Sequence, residues 1–228
     1  LSAASDFLAL SGIPDYRSPK GSYSVGHKPM QHDEFIGAHS NRQRYWSRSF
    51  QGWAPFRGAK PNEGHLAVSR LQELGIIGGI VTQNVDALHQ RAGARRVVDL
   101  HGRNDRVRCL SCQSEIDRGA FQEVLAASNG DQVLAHFARV CNVAARVNAA
   151  DCLLLYRHTS TSDLSRRMAA SISIASGALR ADGDAELGSR GIESFVVPDC
   201  ASCGGMLKPD VVFFGDVVPE SRKQVRAK

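Results

Sequence analysis

Four polar residues, Gln83, Asn84, Asp86 and His101, stand directly after two short apolar runs, and their types are those of a reaction site. An imidazole with an ordinary pKa of about 6.5 accepts a proton near neutral pH, while two carboxamides and an acid offer hydrogen bonds to a ligand. A lone histidine after a strand is more often a structural hydrogen-bonding residue, and Asn84 or Asp86 reads equally as a plain helix cap. Further along, Cys109 and Cys112 form one C-x2-C knuckle, and Cys200 and Cys203 form another. Four thiolates in two knuckles close a tetrahedral structural zinc site with no position left for water, which disfavours catalytic zinc. The competing reading, disulfides or redox pairs, needs an oxidising compartment that nothing in the sequence indicates. Cys141 and Cys152 lack this spacing and read as ordinary thiols.

The elements that must position these groups can be read from the apolar pattern. Ile76 to Thr82 is branched and uncharged and predicts a buried parallel strand; Val97, Val98 and Leu100 predict a second. Between them, Asn84 or Asp86 caps a short helix, Ala87 to Ala92, that Gly93 ends. Both strands therefore finish on polar residues, and in open α/β sheets ligands bind outside the carboxyl ends of the strands. Upstream, Ser40 to Trp53 predicts an amphipathic helix with Trp46, Phe50 and Trp53 on one face and Arg44 and Arg48 on the other. Asn62 caps a further helix through Leu74, with Ala67, Leu71 and Leu74 expected inward and Gly75 as its stop. Helix followed by buried strand, twice over, is α/β organisation.

The chain has 228 residues, 43% hydrophobic and 22% charged, enough for one medium domain and a small second one. No apolar run approaches a membrane span, so no membrane partner is expected. The net charge is +5, but the basic residues are scattered, with no long Lys/Arg run or repeated aromatic-basic module, which argues against a nucleic-acid partner. Near the start, Asp15 and Arg17 lie in a loop stiffened by Pro14 and Pro19 and could bond a ribose hydroxyl or a phosphate; the plainer reading is an exposed turn. Near the end, LKPDVVFFGD predicts a turn at Pro209 and Asp210 and then a strand, Val211 to Phe214, which is either buried core or an edge that could pair with a peptide. Residues 131–180 contain no Glu and no Lys and show only a loose apolar rhythm, so 126–190 reads as a disordered insertion.

Taken in order, SGIPDYRS, TQNVD, LHG, the two C-x2-C pairs and KPDVVFFGD resemble the sirtuin family, NAD-dependent protein deacylases. RQRYWSRSFQGW and the PDYRS form resemble its mitochondrial class II, sirtuin-4-like group. The resemblance covers about residues 11–125 and 191–218. It implies a Rossmann-type parallel sheet, here incomplete, over 1–105 and 204–228, carrying a small zinc-ribbon module over 106–203. By position it implies a cofactor loop at Asp15, Tyr16 and Arg17, and a ribose and nicotinamide pocket at Gln83, Asn84, Val85 and Asp86. It makes His101 the general base, Cys109, Cys112, Cys200 and Cys203 the zinc ligands, and Val212, Phe213 and Phe214 the strand that receives acylated protein lysine. The implied chemistry moves an acyl group from lysine to the ADP-ribose of NAD with release of nicotinamide, with ADP-ribosyl transfer as a second activity and the mitochondrial matrix as the location.

Departures from the family accompany the match. Where the family has a first strand and a GAGIS phosphate loop, this chain has SAASDFLAL, without glycine, and it starts at Leu1. It ends at Lys228, before the family's GSS and NIG motifs for the adenosine half of NAD. The reading is therefore of a chain truncated at both ends, whose alternative is an impaired zinc-containing binding fragment or an incomplete gene model. Nothing in the sequence sets its oligomeric state.

Overall fold

The computed structural model describes residues 10–13, 28–130 and 192–223. In chain order the elements are α1 (His32–Gly37), α2 (His39–Gly58), α3 (Glu63–Glu73), β1 (Ile80–Thr82), α4 (Leu88–Arg91), β2 (Val97–Asp99), β3 (Gly102–Cys109), β4 (Glu115–Asp117), α5 (Arg118–Ser128), β5 (Leu207–Val211) and α6 (Glu220–Lys223). Strands β1 and β2 pair in parallel, Ile80 with Val97 through Thr82 with Asp99. A second sheet, ordered β4-β3-β5, is antiparallel throughout. The fold is thus mixed α/β, a Rossmann-like parallel pair beside an antiparallel module that carries four cysteines. No helix among the described residues is long and apolar enough to cross a membrane.

Helix α2 is longer than the expected Ser40–Trp53, and it is buried on more than one face. Trp46, Phe50 and Trp53 lie inside as expected, but so do Tyr45, Ser47, Ser49 and Phe56. One core joins α1 and α2 to the antiparallel sheet: Phe35, Tyr45, Trp46 and Phe50 pack with Val107, Cys109, Phe121, Leu125, Phe195 and Leu207. Trp46 Nε1 donates to the Leu207 carbonyl at 3.2 Å, which satisfies its one buried donor. Arg118, fully buried, joins α2 to α5: its guanidinium lies 4.8 Å from the Trp53 ring and donates to the Ser49 carbonyl and hydroxyl. A planar cation with aromatic and carbonyl partners tolerates that burial.

Three sequence expectations change here. The strand expected from Ile76 begins only at Ile80, because Gly75 adopts φ +73° and the Ile76 N–H returns to the Leu71 carbonyl, wrapping residues 75–79 around the helix end. On α3 the buried residues are His65 and Gln72, while Ala67, Leu71 and Leu74 are exposed. Polar pairing explains the choice: Gln72 Oε1 accepts from the Arg95 N–H at 2.8 Å, and its amide donates to the Arg96 carbonyl at 3.1 Å. Pro209 and Asp210 are not a turn but part of β5, where Pro209 faces Val107. An edge strand tolerates proline, and Asp210 is held by Arg108 Nε at 3.1 Å and by Arg222 Nη2 at 2.6 Å.

Helix α5 runs through Ser128, and the buried Asn129 accepts from the Val196 N–H at 2.7 Å and donates to the Val196 carbonyl at 2.9 Å. Residues 126–129 of the expected insertion are thus tied to the module; its remainder from 131, with Cys141 and Cys152, lies outside the described residues.

His65 sets a pH dependence of stability. It is fully buried, its Nδ1 accepts from the Asn62 N–H, and burial together with the neighbouring His89 lowers its pKa to about 4. The unfolded chain then binds a proton that the folded chain refuses, so stability is complete above about pH 6.5 and is lost as pH falls toward 4. The loss is of order 1–3 kcal/mol. Urea midpoints measured from pH 7 to pH 4 should fall and should fall less in His65→Gln; parallel curves for the two proteins would exclude His65 as the source.

Candidate functional site

Because β1 and β2 run in parallel, the residues after each emerge at one edge. The Leu100 N–H donates to the Thr82 carbonyl at 2.9 Å, extending the register so that His101 follows beside Gln83. The turn after β1 is built locally. The Thr82 hydroxyl accepts from the Asn84 N–H at 3.0 Å, and Asp86 Oδ1 accepts from the Leu88 N–H at 2.8 Å. Neither Asn84 nor Asp86 is the cap expected of the short helix: its N-cap is Ala87, in the left-handed region with no side-chain cap, and Asp86 closes a local turn one residue earlier. Val85 packs against Ile13, Trp53, Phe56 and Leu88, and its carbonyl accepts from the Asn104 N–H at 2.8 Å, which fixes the loop to β3.

Asp86 is buried, and its second oxygen, Oδ2, has no hydrogen-bond partner among the described residues. Burial raises its pKa, against the opposing Leu88 hydrogen bond. A buried carboxylate oxygen without a donor fits a ligand that brings an N–H. Below it, Gln90 Nε2 donates to both oxygens of Asp99, at 2.9 and 2.8 Å, tying α4 to the end of β2. No sequence signal announced that pair, since Gln90 and Asp99 are each ordinary surface types.

His101 is half-buried, and burial lowers its pKa, opposed by a hydrogen bond with the Gln83 backbone. It is therefore neutral at pH 7 and able to accept a proton. Its carbonyl accepts from the Val212 N–H at 2.9 Å, so the segment Val212–Phe214 starts against the histidine. That segment lies beyond β5, which ends at Val211, and rejoins the fold at Phe214, whose carbonyl accepts from the His32 N–H at 2.8 Å. Phe213 packs on Phe35 and Tyr45, and Phe214 is half exposed. The structure thus joins Gln83 to His101 and His101 to Val212, with Asn84, Val85 and Asp86 in the turn that follows β1; Asp15, Tyr16 and Arg17 lie outside the described residues.

Gly102 holds this junction. Its φ is +78°, and a Cβ there would lie 1.9 Å from the Asp210 carbonyl oxygen. Gly102→Ala should therefore separate β3 from β5 where His101 and Val212 meet, destabilising by roughly 3 kcal/mol or more. A thermal midpoint within a degree of the parent would contradict this.

The four knuckle cysteines converge, with all sulfurs within 4.8 Å of one another. Cys109 and Cys203 are 3.5 Å apart and Cys112 and Cys200 3.8 Å, against about 3.8 Å expected between thiolates on a tetrahedron with 2.3 Å bonds. Cys200 is lowered to about 6, mainly by the Ser114 hydroxyl, whereas Cys203, despite the Gly205 N–H, is pushed up to about 12 by its hydrogen bonds with Cys112, Cys109 and Cys200. Four thiols this close cannot all ionise without a cation among them, and the donor set fits zinc.

The Sir2 family model matches residues 8–228. The chain is 42% identical over 215 residues to a Monosiga brevicollis protein named NAD-dependent protein deacylase SIR4, covering 94% of this chain and 58% of that one. It is 40% identical over 211 residues to human NAD-dependent protein lipoamidase sirtuin-4, mitochondrial, covering 91% and 54%. Among solved structures, a Sir2 homologue with ADP ribose superposes with TM-score 0.55 at 23% identity, over 96% of this chain and 59% of that one, and is similar in fold. The chain spans little more than half the length of these relatives.

Proposed function

Because the chain belongs to the Sir2 family, we propose that it acts in an NAD-dependent protein lysine deacylase, with His101 as the general base. The observation that carries this reading is the junction itself: an imidazole held against the Gln83 backbone, on a residue whose main-chain carbonyl accepts from the Val212 N–H, beside a loop whose buried Asp86 carboxylate has one oxygen without a partner among the described residues. Asn84, Val85 and Asp86 hold the nicotinamide and ribose end of NAD, with Asp86 Oδ2 taking the amide N–H. Gln83 lines the mouth of that pocket, and Asp15, Tyr16 and Arg17 belong to the cofactor loop.

NAD, when bound, would supply the ribose carbon that the acyl oxygen joins as nicotinamide leaves, and water would then free the lysine amine, leaving the acyl group on a ribose hydroxyl. His101 accepts the proton from a ribose hydroxyl at its free ring nitrogen. The segment Val212–Phe214 receives the substrate backbone, with the Val212 carbonyl and the Phe213 N–H as the main-chain groups offered to it, and the exposed Phe214 ring flanks the acyl-lysine. Zinc, held by Cys109, Cys112, Cys200 and Cys203, is structural and keeps β3 and β5 together. The substrates are acylated protein lysines; the human relative's name makes lipoyl-lysine one acyl form to include, and its mitochondrial description supports the matrix as the location, in the sirtuin-4-like group.

The test is incubation with acetyl-lysine and lipoyl-lysine peptides, using this chain extended by a relative's flanking segments. Loss of the acyl mass only when NAD is present supports the reading. Loss without NAD, or none with either peptide while NAD and peptide both bind, overturns it.

A further inference from the structure

Lys208 is buried, 5% exposed, in the strand that leads into the segment 212–214. A buried ammonium is costly unless its protons are paired, and this one has partners spread along the segment that follows it. Its Nζ donates to the Val211 carbonyl and, at 3.0 Å, to Asp216 Oδ2, and it lies 4.3 Å from the centre of the Phe213 ring. It therefore touches the start, the middle and the end of the stretch that arches over it. The arch closes because Gly215 takes φ +79° and the Asp216 N–H donates to the Phe213 carbonyl at 3.0 Å, which returns the carboxylate toward Lys208. On the far side, His32 Nδ1 lies 3.3 Å from the same Asp216 oxygen, while the His32 N–H bonds the Phe214 carbonyl.

We propose that the Lys208–Asp216 pair is a clamp that holds Val212–Phe214 in the shape that receives substrate, a role that rests on the deacylase reading above. Both are positioning residues: they act on substrate through the main chain and the Phe213 ring, and His101 keeps its own contacts with Gln83 and Val212 when they are changed. A cation–aromatic contact and a charge-assisted hydrogen bond that share one ammonium make the arch rigid, so that its backbone groups need no ordering when a peptide docks.

The test compares Lys208→Met, Lys208→Arg and Asp216→Asn with the parent in steady-state kinetics and amide hydrogen exchange. Lys208→Met and Asp216→Asn should raise KM for acyl-lysine peptide by about tenfold or more with kcat changed by less than about threefold, and Lys208→Arg should recover most of the loss. Amides of 212–214 should exchange faster while those of Ile80–Thr82 keep parental protection. Unchanged peptide KM with unchanged exchange overturns the clamp, and loss of protection throughout, Ile80–Thr82 included, shows a merely structural lysine. If Lys208→Met does not fold, Asp216→Asn, altered at a less buried site, decides the same question. A parent that binds no acyl-lysine peptide overturns the deacylase reading instead, and the exchange comparison alone then decides whether the clamp orders the segment.

Discussion

If His101 is the general base proposed, its replacement by alanine should lower NAD-dependent deacylation by about 10²–10⁴-fold, the usual loss on removing such a base, while zinc content and the thermal midpoint stay parental. The side chain is half-buried at a strand end, so truncation deletes a proton acceptor and little packing, and the structural bond from Val212 goes to the His101 carbonyl, which alanine retains. The pH profile gives an independent check. Burial holds the imidazole below its ordinary pKa, which favours the neutral form at pH 7, so if it acts as the base kcat/KM should fall only as pH drops below about 6.5. Near-parental turnover in the alanine variant, or an acid limb above pH 7 in the parent, would show that the base lies elsewhere.

Cys200→Ser is expected to empty the zinc site and to unfold the module around it. Structural zinc contributes on the order of 10–16 kcal/mol of apparent binding free energy that is also folding free energy. Cys109 and Cys200 are themselves buried in the core that includes Trp46, Phe121 and Leu207, so the metal and the aromatic packing stand or fall together. Gly205 is part of the design: a Cβ there would lie 2.9 Å from Cys109 Sγ. Metal analysis should find one zinc per parent chain, little in Cys200→Ser, and full zinc in Cys141→Ser and Cys152→Ser. Because β3 and β5 carry His101 and Val212 to their junction, a chelator strong enough to remove zinc should also abolish turnover. Unchanged zinc content in Cys200→Ser would contradict the assignment.

Much of the site could be read directly from residue order because its geometry is local. A parallel strand pair forces Gln83 and His101 to one edge, and C-x2-C spacing forces two sulfurs into each knuckle. What escaped the sequence depends on partners far away in the chain. Pro209 and Asp210 look like a turn until Arg108 and Arg222 are seen on the Asp210 carboxylate. The apolar positions Leu71 and Leu74 look like an inward face until Gln72 is found bonded to Arg95 and Arg96. Lys208, an ordinary surface residue by type, is buried because the chain after it folds back over its ammonium. The glycine at 102 carried a signal that could have been used: only a residue without Cβ lets the backbone after the histidine lie against Asp210.

The junction of His101, the 82–86 loop and Val212–Phe214 is proposed to be where an acyl group passes from lysine to ADP-ribose. The most direct measurement is the product balance of a single reaction, followed by mass spectrometry, of acyl-lysine peptide and NAD with the chain extended by a relative's flanking segments. The account predicts one nicotinamide released and one acylated ADP-ribose formed for each lysine freed, all three lost together in His101→Ala. Free carboxylate appearing in place of acylated ADP-ribose from the earliest time point, or nicotinamide released at the same rate without peptide, would contradict it.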